Sequence, residues 1–241
     1  MMTTPFLNGD NNTYKSVVWP GLTLTRHERH LLLQSSTPMD SLSSSIHGGG
    51  MSKIDRIANI YVDRFYECSH PEKDVEKLFQ EWDYPLESTA GLLTAVRLEY
   101  TSVLEENGED ASVFCCTTAG VSNGARAGSE RTTFPVYQPG TINIMLMIDA
   151  RMTQAAMVNA VITAVEAKAA ALADLGIRDA ENGLIATGTT TDAIVLGVSQ
   201  SFSYPIEHRY CGTATDLGAA IGRVVYGTVK ESLGAARVSQ P

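Results

Sequence analysis

Residues Val103 to Thr118, VLEENGEDASVFCCTT, decide the fold class. Two runs rich in β-branched and aromatic residues, Val96 to Leu104 and Ala111 to Thr118, flank the polar stretch Glu105 to Asp110. Within that stretch Asn107-Gly108 is a strong turn signal, so the segment reads as a β-hairpin. Downstream, Thr141 to Ile148 reads as a strand, Thr153 to Leu175 as a long helix closed by Gly176, Asp192 to Val198 as a strand and Thr215 to Leu233 as a final helix. A hairpin followed by strand, helix, strand, helix is neither all-antiparallel nor doubly wound. The expected class is therefore α/β, a mixed-sheet sandwich with flanking helices that includes antiparallel strand pairs.

Upstream of the hairpin, Val17-Val18-Trp19, Leu22 to Leu24 and Leu31 to Leu33 are separated by Pro20-Gly21 and a charged stretch, as in successive strands. Ile54, Ile57, Ala58, Tyr61, Val62 and Phe65 follow helical spacing, and a second helix is expected after Pro71 with Val75, Leu78 and Phe79 on one side. Residues 1–14 read as a loose start or a short edge element, and 15–241 as one domain.

With 27 acidic and 18 basic residues the formal charge is -9, and no Lys/Arg stripe offers itself to phosphates. A nucleic-acid surface is excluded on that ground. The four cysteines, Cys68, Cys115, Cys116 and Cys211, lack metal-binding spacing and read as reduced and structural. No apolar run is long enough for a bilayer span, and the start is polar, so no membrane insertion and a cytoplasmic location are expected.

Polar chemistry concentrates in a repeated pentapeptide, Gly188-Thr189-Thr190-Thr191-Asp192 and Gly212-Thr213-Ala214-Thr215-Asp216. Leu217, Ala220, Ile221, Val224 and Val225 come after the second copy as one face of a helix, so Thr213 or Thr215 reads as its cap and Asp216 as a carboxylate suited to the positive helix end. Free amides there can also hold an anionic or carbonyl oxygen. The first copy precedes the buried strand Ala193 to Leu196 and has no helix to cap. Asp192, behind three threonines, is thus either a functional carboxylate or part of a structural turn.

Three more segments bear on a site. Gly120 to Gly128 places Asn123 and Arg126 on a glycine-rich loop without a phosphate-loop ending, and Asn123 can grip an amide as donor and acceptor. Ser43 to Gly50 offers Ser44, Ser45, His47 and Gly49 as hydrogen-bonding groups; a serine triad lacks its motif. On the long helix, Ala155, Val158, Ile162, Val165, Ala169 and Ala173 define the expected buried face, with Glu166 inside its edge, either paired or poised.

In order along the chain, Ser43 to Gly50, Gly120 to Gly128, Gly140-Thr141-Ile142-Asn143, Ala160 to Leu172, Ala186 to Asp192 and Cys211 to Gly218 resemble the adenosylcobinamide amidohydrolase family. The resemblance runs from about Val17 to Leu233. It implies hydrolysis of the amide that joins the aminopropanol arm to the adenosylated corrin ring, giving adenosylcobyric acid in corrinoid salvage. No resident cofactor or metal is implied, and cobalt enters only within the corrinoid substrate, which His47 or His208 could approach. For amide hydrolysis, Asp192 and Glu166 are the candidate base and acid, and backbone amides at Gly188, Gly212 or Gly48 to Gly50 the candidate oxyanion donors. Asn123, Ser44, Ser45, His47, Gly49, Thr189, Thr190, Thr191, Thr213, Thr215 and Asp216 are the candidate substrate contacts. Thr189 or Thr190 as nucleophile lacks an evident base. A corrinoid carrier without hydrolysis, or an oligomeric scaffold built on the alanine-rich helix faces, uses the same segments; a homo-oligomer is compatible with them.

Overall fold

Pro38 lies inside the longest strand and shapes the sheet around it. The computed structural model describes residues 3–9, 11–66, 68–133 and 141–238. In chain order its elements are β1 (Thr13–Lys15), β2 (Leu22–Arg26), β3 (His30–Ser43), β4 (Gly50–Tyr61), α1 (Pro71–Glu81), β5 (Thr89–Thr94), β6 (Ser102–Asn107), β7 (Ser112–Ala119), β8 (Gly124–Ala125), β9 (Ile142–Asp149), β10 (Arg151–Met152), α2 (Gln154–Asp174), β11 (Gly188–Thr189), β12 (Ala193–Val198), β13 (Glu207–His208) and α3 (Asp216–Val238). Gln34 of β3 faces Arg56 of β4 and Met39 faces Ile54, so the residues around Pro38 bulge out of the ladder. A proline has no amide proton to give, and a bulge bends its strand. On its other side β3 changes partner across this bend, from β2 before it to β12 after it.

From β12 the sheet continues through β9, β7 and β6, and from β4 it continues through β5, nine strands in all with β1 beyond β2. Within this sheet, among the described residues, the parallel pairs are β12 with β9 and β4 with β5. Each is bridged by a helix, α2 and α1 respectively, as a parallel connection requires. The hairpin read at Asn107-Gly108 is β6 and β7, paired from Asn107 with Ser112 to Ser102 with Thr117. The mixed α/β class is thus the one observed, with the sheet curled.

Both faces of the central strands are buried, so their sequences read as unbroken apolar runs. Ile142, Ile144, Leu146 and Ile148 of β9 and Ile194, Leu196 and Val198 of β12 pack towards α2 and α3. The intervening Met145, Met147 and Val195 point into the curl, against Leu24, Leu33, Ile54, Ile57, Leu92 and Phe114. α1 lays Val75 and Phe79 over Ala58, Ile60 and Leu93. A chain of buried amides ties the curl shut: Asn59 donates to Thr118 Oγ1 (2.9 Å), and Asn143 donates to Asn59 Oδ1 (2.8 Å) and to the Leu93 carbonyl (2.8 Å).

Several expectations are corrected. The segment beginning at Ile54 is strand β4, because it sits between β3 and β5 with Ile57 to Ile60 buried on both faces, which hides a period of two. The first arm of the hairpin begins at Ser102, after a 3₁₀ turn at Leu98–Tyr100. The described residues of the opening segment are held in place: Thr3 bridges Val103, Phe6 is fully buried, and β1 is an edge strand. On α2 the buried residues are Ala156, Met157, Ala160, Thr163, Ala164, Lys168, Ala171 and Leu172, while Val158, Ile162 and Val165 face outward. By length and hydropathy α2 would also suit a bilayer, contrary to the expectation from apolar runs, but half of that stretch is buried in the protein.

Candidate active site

Asp192 stands immediately before β12, where that strand leaves the loop carrying three threonines. Its carboxylate collects four donors. Oδ1 accepts from the Ile142 amide (3.0 Å) and the Thr189 hydroxyl (2.5 Å), and Oδ2 accepts from the Thr189 amide (3.0 Å) and from Lys168 Nζ. Lys168 is brought there by α2, whose N-terminus is capped by Thr153 through the Ala156 amide (3.2 Å). Only 7% of Lys168 is exposed. A lysine so buried needs a charged, hydrogen-bonded partner, and Asp192 is that partner. Gly188 makes room for the pair, since a β-carbon there would press on Asp192 Oδ2 and lie 2.7 Å from Lys168 Nζ.

The walls are loops zipped together by backbone bonds. β8 pairs with β11, Gly188 opposite Ala125 and Thr189 opposite Gly124, so the Gly120 to Gly128 loop and the first pentapeptide form one ribbon. Asn123 Nδ2 donates to Thr190 Oγ1 (2.7 Å), while its Oδ1 is buried without a partner among the described residues. Asp179, fully buried, anchors the far wall: it accepts from the Glu181 and Arg126 amides (2.9 Å each) and from Arg131 Nη1 (2.8 Å). The Glu181 amide first, then the Arg126 amide and the Arg131 charge, hold its carboxyl below the ordinary range against the opposing effect of burial. Behind the floor, the Thr141 hydroxyl donates to the Thr191 carbonyl (2.7 Å) beside Asn143, linking the site to the buried amide chain.

These parts enclose a cavity of about 720 Å³. Lys168 and Thr189 line its floor, Thr190, Thr191, Arg126 and Arg131 its sides, and Val165, Glu166 and Ala169 the edge formed by α2. Of the residues expected from sequence, Thr189, Thr190 and Thr191 line this cavity and Glu166 stands exposed on its rim, while Asp192 lies behind the floor, bonded to Thr189 and Lys168, and Asn123 lies behind the wall, bonded to Thr190. Ser44 is near, its hydroxyl accepting from the Ile194 amide (3.1 Å).

The others lie elsewhere. Ser45 donates to the His47 carbonyl (2.7 Å), and His47 Nε2 is 2.9 Å from the Leu86 carbonyl with its ring edge-on to Phe79, so this segment is the structured β3–β4 turn beside α1. Gly49 belongs to the same turn, where a β-carbon would lie 2.6 Å from the Ser45 carbonyl. Thr215 caps α3, accepting the Gly218 amide (3.0 Å), and with Asp216 it lines a second cavity of about 700 Å³ near Tyr210 and Arg223. Thr213 is exposed in the turn before it, and the box with Asp216 gives way to the single cap at Thr215. His208 Nε2 is 3.1 Å from the Asp110 carbonyl. Gly140 lies outside the described residues. The cysteines Cys115, Cys116 and Cys211 are free and buried, and burial pushes their thiols up, the first and last to about 11, so they stay protonated and inert.

Sequence reasoning misses Lys168, Asp179 and Thr141. A signal for Lys168 exists: Ala156, Ala160, Ala164, Lys168 and Ala171 share a stripe of small residues, which a lysine joins only with a buried partner waiting.

The sequence profile of the adenosylcobinamide amidohydrolase family matches residues 18–241. The chain belongs to that family. An adenosylcobinamide amidohydrolase of Methanosarcina mazei is 32% identical over 200 residues, covering 80% of this chain and 90% of its own. One of Halobacterium salinarum is 29% identical over 217 residues, covering 87% of each. Among solved structures, the PH0078 protein of Pyrococcus horikoshii has a TM-score of 0.42 at 13% identity, covering 86% of this chain and 78% of its own. Membership in the adenosylcobinamide amidohydrolase family makes the chain a hydrolase of amide bonds.

Proposed function

We propose that the protein cleaves the aminopropanol amide of adenosylcobinamide, releasing adenosylcobyric acid in corrinoid salvage, and that the cavity above Lys168 and Asp192 is where it does so. The observation that carries this reading is the hydrogen-bonded row in which Thr189 and Lys168, both on the cavity floor, are joined from behind by Asp192. A hydroxyl held at 2.5 Å from a carboxylate is polarised towards attack, which supplies the base that Thr189 lacked on sequence grounds.

In this scheme Thr189 Oγ attacks the amide carbon while its proton passes to Asp192. One N–H of Lys168 is engaged by Asp192, and the others are available to the oxygen that becomes negative. The carbon–nitrogen bond then breaks, and the proton leaves through Asp192 and Lys168 to the departing amine. Water cleaves the Thr189 ester and returns a proton along the same row, with Glu166 on the rim orienting that water. Asn123 acts from behind the wall: its Nδ2 donates to Thr190 Oγ1 (2.7 Å) and so orients a hydroxyl that lines the cavity. Cobalt takes part only as a component of the substrate.

Incubation with adenosylcobinamide followed by chromatography should give adenosylcobyric acid and aminopropanol in equal amounts. Rapid quenching and intact-mass measurement should catch enzyme heavier by the corrinoid acyl group, and Thr189→Ala should abolish both signals. Tight binding with unchanged substrate would instead identify a carrier. Full turnover by Thr189→Ala would transfer the attack to water and leave Glu166 as its base.

A further inference from the structure

An outward helix face is usually the polar one, yet on α2 it is the apolar one. Val158, Ile162 and Val165 are 52%, 49% and 42% exposed, one above the next at helical spacing. No charged residue occurs from Gln154 to Val165. α3, beside it, obeys the ordinary rule and turns Asp216 and Arg223 to solvent. Three features say what covers the α2 stripe. It is continuous with the site, because Val165 at its end and Ala169 one turn on form the edge of the cavity that holds Lys168. Its span from Val158 to Val165 is ~10 Å, seven residues of helical rise, which suits a flat macrocycle lying across the helix. Val158, Ile162 and Val165 offer no hydrogen-bonding groups of their own, and the exposed polar residues in line with them, Gln154 and Glu166, stand at the two ends, Glu166 on the cavity rim.

We infer that Val158, Ile162 and Val165 seat one apolar face of the corrin macrocycle, with the amide-bearing arm passing Val165 into the cavity. This rests on the hydrolysis proposed above and adds to it where the bulk of the substrate lies. The division of labour comes from the chemistry: the stripe supplies broad, undirected apolar contact, and Thr189 and Lys168 on the cavity floor read the one amide that is cut.

The test uses the full chain with Val158→Glu and Ile162→Glu, and with Ile162→Gln as a milder change. Two quantities are read: the KM for adenosylcobinamide, and the Kd for adenosylcobyric acid by equilibrium dialysis, since that acid keeps the macrocycle but not the arm. A carboxylate placed under the ring should raise both constants about tenfold, and Ile162→Gln less, with the loss read in KM rather than kcat. Circular dichroism and thermal melting establish that each variant is folded, as expected for exposed positions. Unchanged KM and Kd in folded variants would overturn the seat. So would raised constants accompanied by a change from dimer to monomer in sedimentation, which would assign the stripe to a second copy of the chain. Wild-type protein that binds the acid but releases no aminopropanol would defeat the hydrolysis reading alone, and the Kd values would still decide the seat.

Discussion

The two copies of Gly-Thr-x-Thr-Asp have nearly the same residues and opposite fates. In the copy ending at Asp216 the chain runs on into α3, and the polar groups turn inward on the backbone: the Thr215 hydroxyl accepts the Gly218 amide and donates to the Gly212 carbonyl (2.8 Å), and Asp216 is left to solvent. In the copy ending at Asp192 the chain runs on into strand β12, whose first residues are claimed by β9 and β3. No helix end absorbs that carboxylate, so it turns to donors from three other elements, Lys168 among them. The element into which a motif runs, more than the motif's composition, decides whether its carboxylate is left to solvent at a helix start or gathered into a hydrogen-bonded cluster with a buried lysine.

The sharpest way to break this contrast is to neutralise both acids. Asp192→Asn removes the proton acceptor and leaves Lys168 buried without a counter-charge, so turnover should fall about a thousandfold and stability by about 3 kcal/mol. Asp216→Asn, exposed and acting only on the helix end, should change stability by less than about 1 kcal/mol and leave turnover intact. Measured kcat and urea midpoints on both variants check this, and equal activity losses would make the two copies functionally alike.

Much of this difference is legible in the sequence. The residues after each copy, Ala193 to Leu196 against Leu217 to Val225, announce strand and helix by their period, and Asn107-Gly108 announces the hairpin. The hidden part is set by tertiary packing. β4 reads as helical because both of its faces are buried, and α2 reads as burying the side it exposes, since alanines run all round it and the valines and isoleucine of the exposed side outweigh them. Lys168 therefore escapes a reading that does single out Asp192. Ser45 and His47 lie away from this cavity for a related reason: a turn rich in hydroxyls and glycine shows its polarity in sequence, but not that backbone carbonyls, of His47 for Ser45 and of Leu86 for His47, engage it.

The glycines sharpen the comparison next. Gly188→Ala would drive a methyl group into the Lys168 and Asp192 pair, a buried ammonium and a part-buried carboxylate held by four donors, so activity should drop about a hundredfold as the row is displaced. Gly212→Ala meets first the ring of Tyr210, 2.6 Å away, on a side chain that is 63% exposed and free to swing aside. Its activity should stay within about twofold of the parent. Comparable losses in the two variants would show that the second copy also touches the reaction.

The smallest effect isolates capping from catalysis. Thr215→Ala deletes the acceptor of the Gly218 amide at the first turn of α3, a helix whose Leu217, Ile221, Val224 and Val225 are buried against the sheet. Loss of such a cap costs about 1 kcal/mol, which in a chain of this size lowers Tm by about 2–4 °C. Thr215→Ser keeps the oxygen and should restore the parent Tm, whereas Thr189→Ser keeps a hydroxyl beside Asp192 and should restore part of the turnover lost in Thr189→Ala. The two rescues therefore read out in different quantities, melting temperature at one threonine and rate at the other. A Thr215→Ala protein that melts normally but turns over slowly would reverse the assignment, because a hydroxyl that only caps has no route to the amide being cut.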